Sequence, residues 1–306
     1  MFTRLKKWLL ASSIVFLSAC GGHHHPSVLD VARDDARFTI LVEAVQTAGL
    51  QPTLDGDGPL TLFAPTDAAF ASLLTELGLT KAQLLADTAL LTSVLTYHVL
   101  PTQVNAAAVP LGKAITTVEG GFFKIESGAG GALTVQDGRN RIAAISATDL
   151  PARNGVVHVV DKVILPANRD IVQTAQALPD FSILVEALVA ANLTGALSGP
   201  GPFTVFAPTN AAFTDLLTSL GLTKAQLLAD TVLLTSVLRY HVVSGRVLKA
   251  DVPVGTPIQT LEPGKTFTVD GTLVITDAQS NTAQIVATDV FTSNGVIHVI
   301  DKVIRP

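Results

Sequence analysis

Tryptophan, methionine and cysteine each occur once in the 306 residues, as Trp8, Met1 and Cys20, all within the first twenty positions. A chain cleaved just before residue 20 therefore keeps no Trp and no Met, and it cannot form an internal disulfide. Charge is scarce as well: Asp, Glu, Lys and Arg make up 15% of the residues, against about 25% in an average globular chain. The formal balance is −5, and no cluster of Lys and Arg exists to displace counterions from a phosphate backbone, which excludes nucleic acid as a partner. Beyond the N-terminal leader no apolar run approaches the about 18 residues of a membrane-spanning helix. What is plentiful is apolar, 48% of the chain, enough for sizeable cores in a length that suggests two domains.

Residues 1–19 have the plan of a secretory leader. Arg4, Lys6 and Lys7 make a basic start, Trp8 to Leu17 an apolar stretch too short to span a bilayer, and Ser18 and Ala19 a small-residue end. Leu17-Ser18-Ala19-Cys20 resembles the lipobox of bacterial lipoproteins. That resemblance implies lipidation of the Cys20 thiol, which removes the chain's single thiol nucleophile, and stable anchoring by two or more acyl chains. With Gly21 rather than Asp next in line, it implies a cell-envelope protein, lipid-anchored at an outer membrane or cell surface. Residues 20–27 then read as a solvated tether. Its histidines, His23 to His25, lack the fixed angles and supporting partners of a working metal site, so no metal and no cofactor is assigned.

The remainder repeats itself. Phe38 to Ala44 returns as Phe181 to Ala187, Thr61 to Phe70 as Thr204 to Phe213, and Leu77 to Thr88, unchanged, as Leu220 to Thr231, all at an offset of 143. Tyr97-His98 returns as Tyr240-His241 at that offset, and Asn154 to Ile164 returns as Asn294 to Ile304 at 140. Two copies follow, 28–166 and 167–306, joined by too short a junction to swing freely. The stretch from Pro110 to Ser146 diverges from Pro253 to Val286 although its alternation survives. Because the repeat includes solvent-facing positions such as Lys81 to Asp87, identity between copies says little about function, whereas difference is informative.

Each copy reads as helices first and sheet after. Ile40, Leu41, Val42, Val45 and Ala48 form a helical stripe ending at Gly49. Leu60 to Ala64 is a strand broken at Pro65. Thr66 can cap a helix that carries Phe70, Leu73, Leu74 and Leu77 inward; Thr80 with Gln83 suits a capping box, and Asp87 starts a helix reaching Tyr97. Phe122 to Glu126, Leu133 to Gln136 and Ile142 to Ala147 alternate as strands. Asn154-Gly155 predicts a hairpin turn into Val156 to Ile164, whose unbroken apolar run predicts a strand buried on both faces.

The Phe-Ala-Pro-Thr block (63–66 and 206–209), the Tyr-His block (97–98 and 240–241) and the Asn-Gly-Val-x-His-Val block (154–159 and 294–299) together resemble the fasciclin domain, twice over. The resemblance implies an α+β fold of two tandem fasciclin-type domains, each a β-sandwich or wedge with helices packed on one side. It also implies adhesion rather than enzymatic activity. Partner contact by Tyr97, His98, Tyr240 and His241 is the functional reading that animal relatives suggest; the residues themselves read as a core pair with satisfied ring nitrogens. His158 and His298 lie in the most buried strand. Enzyme motifs fail on spacing: Gly264-Lys265-Thr266 would need a glycine where Gln259 stands, Asp55 to Gly58 is answered by Ser198 to Gly201, and no Gly-x-Ser-x-Gly occurs. Two functions remain open at this level. One is an anchored adhesion protein contacting surface or matrix proteins, polysaccharide or biofilm; the other is an envelope binding protein for a small ligand or polysaccharide.

Overall fold

The computed structural model describes residues 25–306; the leader, Cys20, His23 and His24 lie outside the described residues. The first unit runs through α1 (Val28–Arg33), α2 (Thr39–Thr47), α3 (Gln51–Leu54), β1 (Leu60–Pro65), α4 (Asp67–Leu77), α5 (Lys81–Ala86) and α6 (Thr88–Tyr97). Its remaining strands are β2 (Val99–Leu100), β3 (Ile115–Thr116), β4 (Phe122–Ser127), β5 (Leu133–Gln136), β6 (Ile142–Ala152) and β7 (Gly155–Val160). The second unit repeats this order as α7 (Ile171–Gln176), α8 (Ser182–Ala190), α9 (Thr194–Leu197), β8 (Phe203–Pro208), α10 (Asn210–Leu220), α11 (Lys224–Ala229) and α12 (Thr231–Tyr240). It closes with β9 (Val242–Ser244), β10 (Ile258–Gln259), β11 (Thr266–Val269), β12 (Val274–Thr276), β13 (Thr282–Thr292) and β14 (Gly295–Ile300).

The helices start where their side chains can satisfy free amides. Thr66 Oγ1 accepts from Ala69 N at 3.2 Å, Thr80 and Gln83 close a reciprocal capping box, and Asp87 Oδ1 accepts from Leu90 N at 3.0 Å. Pro26 and Ser27, read as the end of the tether, belong to the folded unit instead. Ser27 is buried and caps α1, its hydroxyl donates to Asp55 Oδ1 at 2.6 Å, and Pro26 O accepts from Arg153 N at 2.8 Å.

Each unit has one seven-stranded sheet, ordered β2-β1-β7-β6-β5-β4-β3 in the first. Only the β1–β7 pair is parallel, with Phe63 opposite His158. Phe63 of β1 and Phe123 of β4 stack edge to face at 5.1 Å, although strands four places apart in a flat sheet would lie about 19 Å from each other. The sheet therefore curls on itself into a wedge, helped by register shifts in β6 at Ile145/Ala147 and Ala147/Leu150. Inside the curl lie Phe63, Tyr97, Phe123, Ile125, Val135 and Val160. Outside it the helices add a second core in which Leu41, Phe70, Leu91 and Leu95 cover Val157 and Val159 of β7. β7 is buried along its whole length because it separates these two cores.

Three local expectations need correction. The strand expected from Val156 to Ile164 ends at Val160. β6 extends past Ala147 to Ala152, since its bulges interrupt the alternation without ending the pairing. The hairpin also sits one residue earlier than Asn154-Gly155: Ala152 pairs with Gly155, so Gly155 is the first strand residue. Glycine is needed there because a Cβ would overlap the Leu60 carbonyl oxygen of the neighbouring strand. The Asn154 side chain meanwhile accepts from Val28 N at 2.9 Å and donates to Leu54 O and Gly56 O, tying the helices to the hairpin.

Candidate functional site

The Tyr-His pairs lie at the ends of α6 and α12, and all four side chains are buried. His98 Nδ1–H donates to Val94 O at 2.7 Å while Nε2 accepts from Ile164 N at 3.0 Å. His241 repeats this with Val237 O and Ile304 N. The tautomer follows from the partners: a ring accepting at Nε2 is neutral there. Burial pushes both imidazoles down to about 4, outweighing the hydrogen bonds to Val94 O and Val237 O and, at His241, the negative Asp277. His158 holds the opposite tautomer, accepting from Asp149 N at Nδ1 and donating from Nε2 to Val104 O at 2.8 Å. These rings are cross-braces with no lone pair free for a proton transfer or a metal. Among the described residues no group of three or more His, Cys, Asp or Glu side chains is placed to hold a metal ion.

Tyr97 donates its hydroxyl to Phe122 O, and Tyr240 donates to Thr266 O at 2.7 Å. Burial pushes Tyr240 up to about 12; burial, reinforced by the negative Asp137, pushes Tyr97 well above its ordinary value. The four residues proposed as a contact surface thus have no exposed face to offer a partner. Each tyrosine instead fixes the inner edge of the strand residue in front of it.

In the first unit that residue, Phe122, belongs to a joint between the two units. Its ring packs on Phe291 at 4.6 Å, and the Arg246 guanidinium lies over it at 3.7 Å. Leu248 and Val296 complete the apolar cluster. Beside it Lys124 Nζ donates to Asp289 Oδ2 at 2.6 Å; the lysine side chain is 7% exposed and the aspartate 1%. Burial pulls the Lys124 ammonium down, but its hydrogen bonds to Asp289 and Glu126 outweigh that and leave it raised. Gln136 Nε2 donates to Asp289 O at 2.7 Å. The Asn140 amide pairs with both backbone groups of Phe291, accepting from N at 2.6 Å and donating to O at 3.1 Å.

The fasciclin domain family matches residues 36–166 and again 179–306. The chain belongs to the fasciclin family. It is 29% identical over 333 residues to transforming growth factor-beta-induced protein ig-h3 of Oryctolagus cuniculus, across 100% of this chain and 46% of that protein. It is 42% identical over 145 residues to protein sll1483 of Synechocystis, covering 46% of this chain and 73% of that one. A solved domain pair from the insect cell adhesion molecule fasciclin I is similar at 18% identity and a TM-score of 0.43, over 85% of this chain and 94% of that one. The chain thus spans less than half the length of ig-h3.

The joint is one place where the two fasciclin units differ. Phe122, Lys124, Gln136 and Asn140 of the first correspond by strand register to Thr266, Thr268, Thr276 and Ser280 of the second. Arg246, Leu248 and Phe291 of the second correspond to Gln103, Asn105 and Pro151 of the first, while Asp289 corresponds to Asp149. Sequence reasoning did not find these residues. The signal available was a lysine inside an apolar strand of one copy, replaced in the other by threonine.

Proposed function

We propose that this fasciclin protein is an extracytoplasmic adhesion and interaction protein, held to a membrane through an acylated Cys20 and built of units 28–166 and 167–306. The second unit meets the partner, a surface or matrix protein or polysaccharide, in cell attachment or biofilm contact. The observation that carries this reading is the joint. The first unit uses the strand face above Tyr97 to hold a protein surface, and the same face of the second unit, above Tyr240, is left open. Thr266 and Thr268 are half-buried there, with Thr276 and Ser280 exposed. On this reading Tyr97, His98, Tyr240 and His241 are positioning residues behind contact faces. The apolar cavities beneath α2 and α8 measure about 10 Å³ each, room for roughly one water, so neither can carry a small ligand.

The test is attachment of cells displaying the whole chain to immobilised matrix proteins and polysaccharides. Thr268→Arg together with Thr276→Arg should lower attachment at equal surface display. Undiminished attachment of that variant would overturn the assignment of the face.

A further inference from the structure

The second unit has an open groove of about 450 Å³ between α10, the turn from Asp277 to Thr282 and the C-terminal segment at Lys302 to Arg305. The first unit shows what fits there. In its corresponding groove the Arg141 guanidinium donates through Nε and Nη2 to Asp137 Oδ2, at 2.9 and 2.8 Å, through Nη2 to Val163 O at 2.6 Å, and through Nη1 to Glu76 Oε2 at 2.8 Å. The cation is built in.

In the second unit the position of Arg141 is taken by Asn281, whose amide reaches back to Asp277 at 3.1 and 3.2 Å. The acceptors remain. Asp277 is buried like Asp137, and Val303 stands where Val163 stands. The second carboxylate has moved one turn along the helix: Glu76 becomes Ser219 while Ser72 becomes Asp215, and both line the groove. Among the described residues no Lys, Arg or His lies within 4.0 Å of the Asp277 carboxylate, whereas Asp137 has Arg141 at 2.8 Å. Lys302 and the Arg305 side chain line the groove without pairing to either acid; Arg305 engages Asp277 through its backbone N–H at 2.9 Å. A buried carboxylate balanced only by amide donors lies here beside an open volume of about 450 Å³, where in the sister copy a guanidinium on the same carboxylate narrows the groove to about 290 Å³.

We infer that this groove receives a guanidinium, the side chain of an arginine presented by a protein or peptide partner, with Asp277 and Asp215 as its acceptors. Arginine suits the site better than lysine because the sister site holds its cation by a two-pronged contact from one planar group, which an ammonium cannot reproduce.

The probe is N-acetyl-arginine N-methylamide, titrated into the full chain while backbone amide resonances are followed by NMR. Saturable shifts confined to 215–219 and 277–282 are expected, about tenfold weaker with the lysine and citrulline counterparts. Asn281→Arg, which restores the residue of the first copy and engages the Asp277 carboxylate from within the chain, should abolish the response. Arg141→Asn should open a second site at 72–76 and 137–142. No saturable shift with the arginine probe, an equal response to citrulline, or a response that survives Asn281→Arg would each overturn the proposal.

Discussion

Replacing Lys124 with methionine keeps most of the side-chain volume and removes the charge that faces Asp289 across the joint. The Asp289 carboxylate, 1% exposed, would retain a single donor, the Lys249 N–H at 2.8 Å. Breaking a buried pair from one side costs about 3–5 kcal/mol, because the remaining charge is neither solvated nor neutralised. That is a large share of the about 5–15 kcal/mol that holds a domain folded. The loss should fall on the coupling between units, since Lys124 and Asp289 belong to different ones. Calorimetry should show the unfolding of the parent resolve into two separate transitions in Lys124→Met. Asp289 has φ 60°, a left-handed conformation that asparagine tolerates, so Asp289→Asn can remove the charge while keeping the backbone. The double variant Lys124→Met with Asp289→Asn should recover most of the loss. A cost for Lys124→Met under about 1 kcal/mol, the range of an exposed pair, or a double variant no more stable than Lys124→Met, would refute the reasoning.

Acid should loosen both units. His98 and His241 have folded values of about 4 against an ordinary 6.5, so the unfolded chain takes up protons that the folded chain refuses. Stability is therefore complete above pH 6.5 and falls as pH drops towards 4, by up to about 3 kcal/mol per histidine; urea midpoints that do not move across this window would contradict it. Phe206 is buried and stacks edge to face on Phe267 at 5.0 Å; Phe206→Ala should cost about 3–5 kcal/mol, and an unchanged melting temperature would remove Phe206 from the core. Gly155→Ala should cost about 3 kcal/mol or more by driving a methyl into the Leu60 carbonyl and parting β1 from β7, seen as a lower circular-dichroism melt. Cys20→Ala should release the protein from membranes and abolish acyl labelling; a variant that still fractionates with membranes would discount the anchor.

Much of the fold was legible because the signals are local. Thr66, Thr80 and Asp87 cap the helices their spacing indicates, and the first part of the apolar run after Gly155, as far as Val160, is the doubly covered strand it suggests. What was illegible depends on contacts distant in the chain. Gly155 next to Asn154 reads as turn chemistry, but the demand for glycine comes from Leu60 of another strand. Tyr97-His98 is compatible with either a surface or a core until the partners of both ring nitrogens, Val94 and Ile164, are known. Lys124 reads as the solvent side of an alternating strand, and nothing near it in sequence reveals that Asp289, 165 residues away, covers it.

The joint brings together unlike faces of two like units. Such a heterologous contact has no internal reason to stop, since each added unit would present the face just used and could take another, building a fibre. Here the two faces left outside the joint lack its anchors. The outward strand face carries Thr266 and Thr268 where the joint needs an aromatic ring and a cation, and the opposite end carries Gln103, Asn105 and Pro151 where it needs Arg, Leu and Phe. The residues of this joint are therefore not repeated on either remaining face, and the order of the copies cannot be exchanged: transposed, the chain would set threonines against proline and asparagine, with Asp149 facing no cation. Divergence after duplication has given these two units unlike faces and a fixed order.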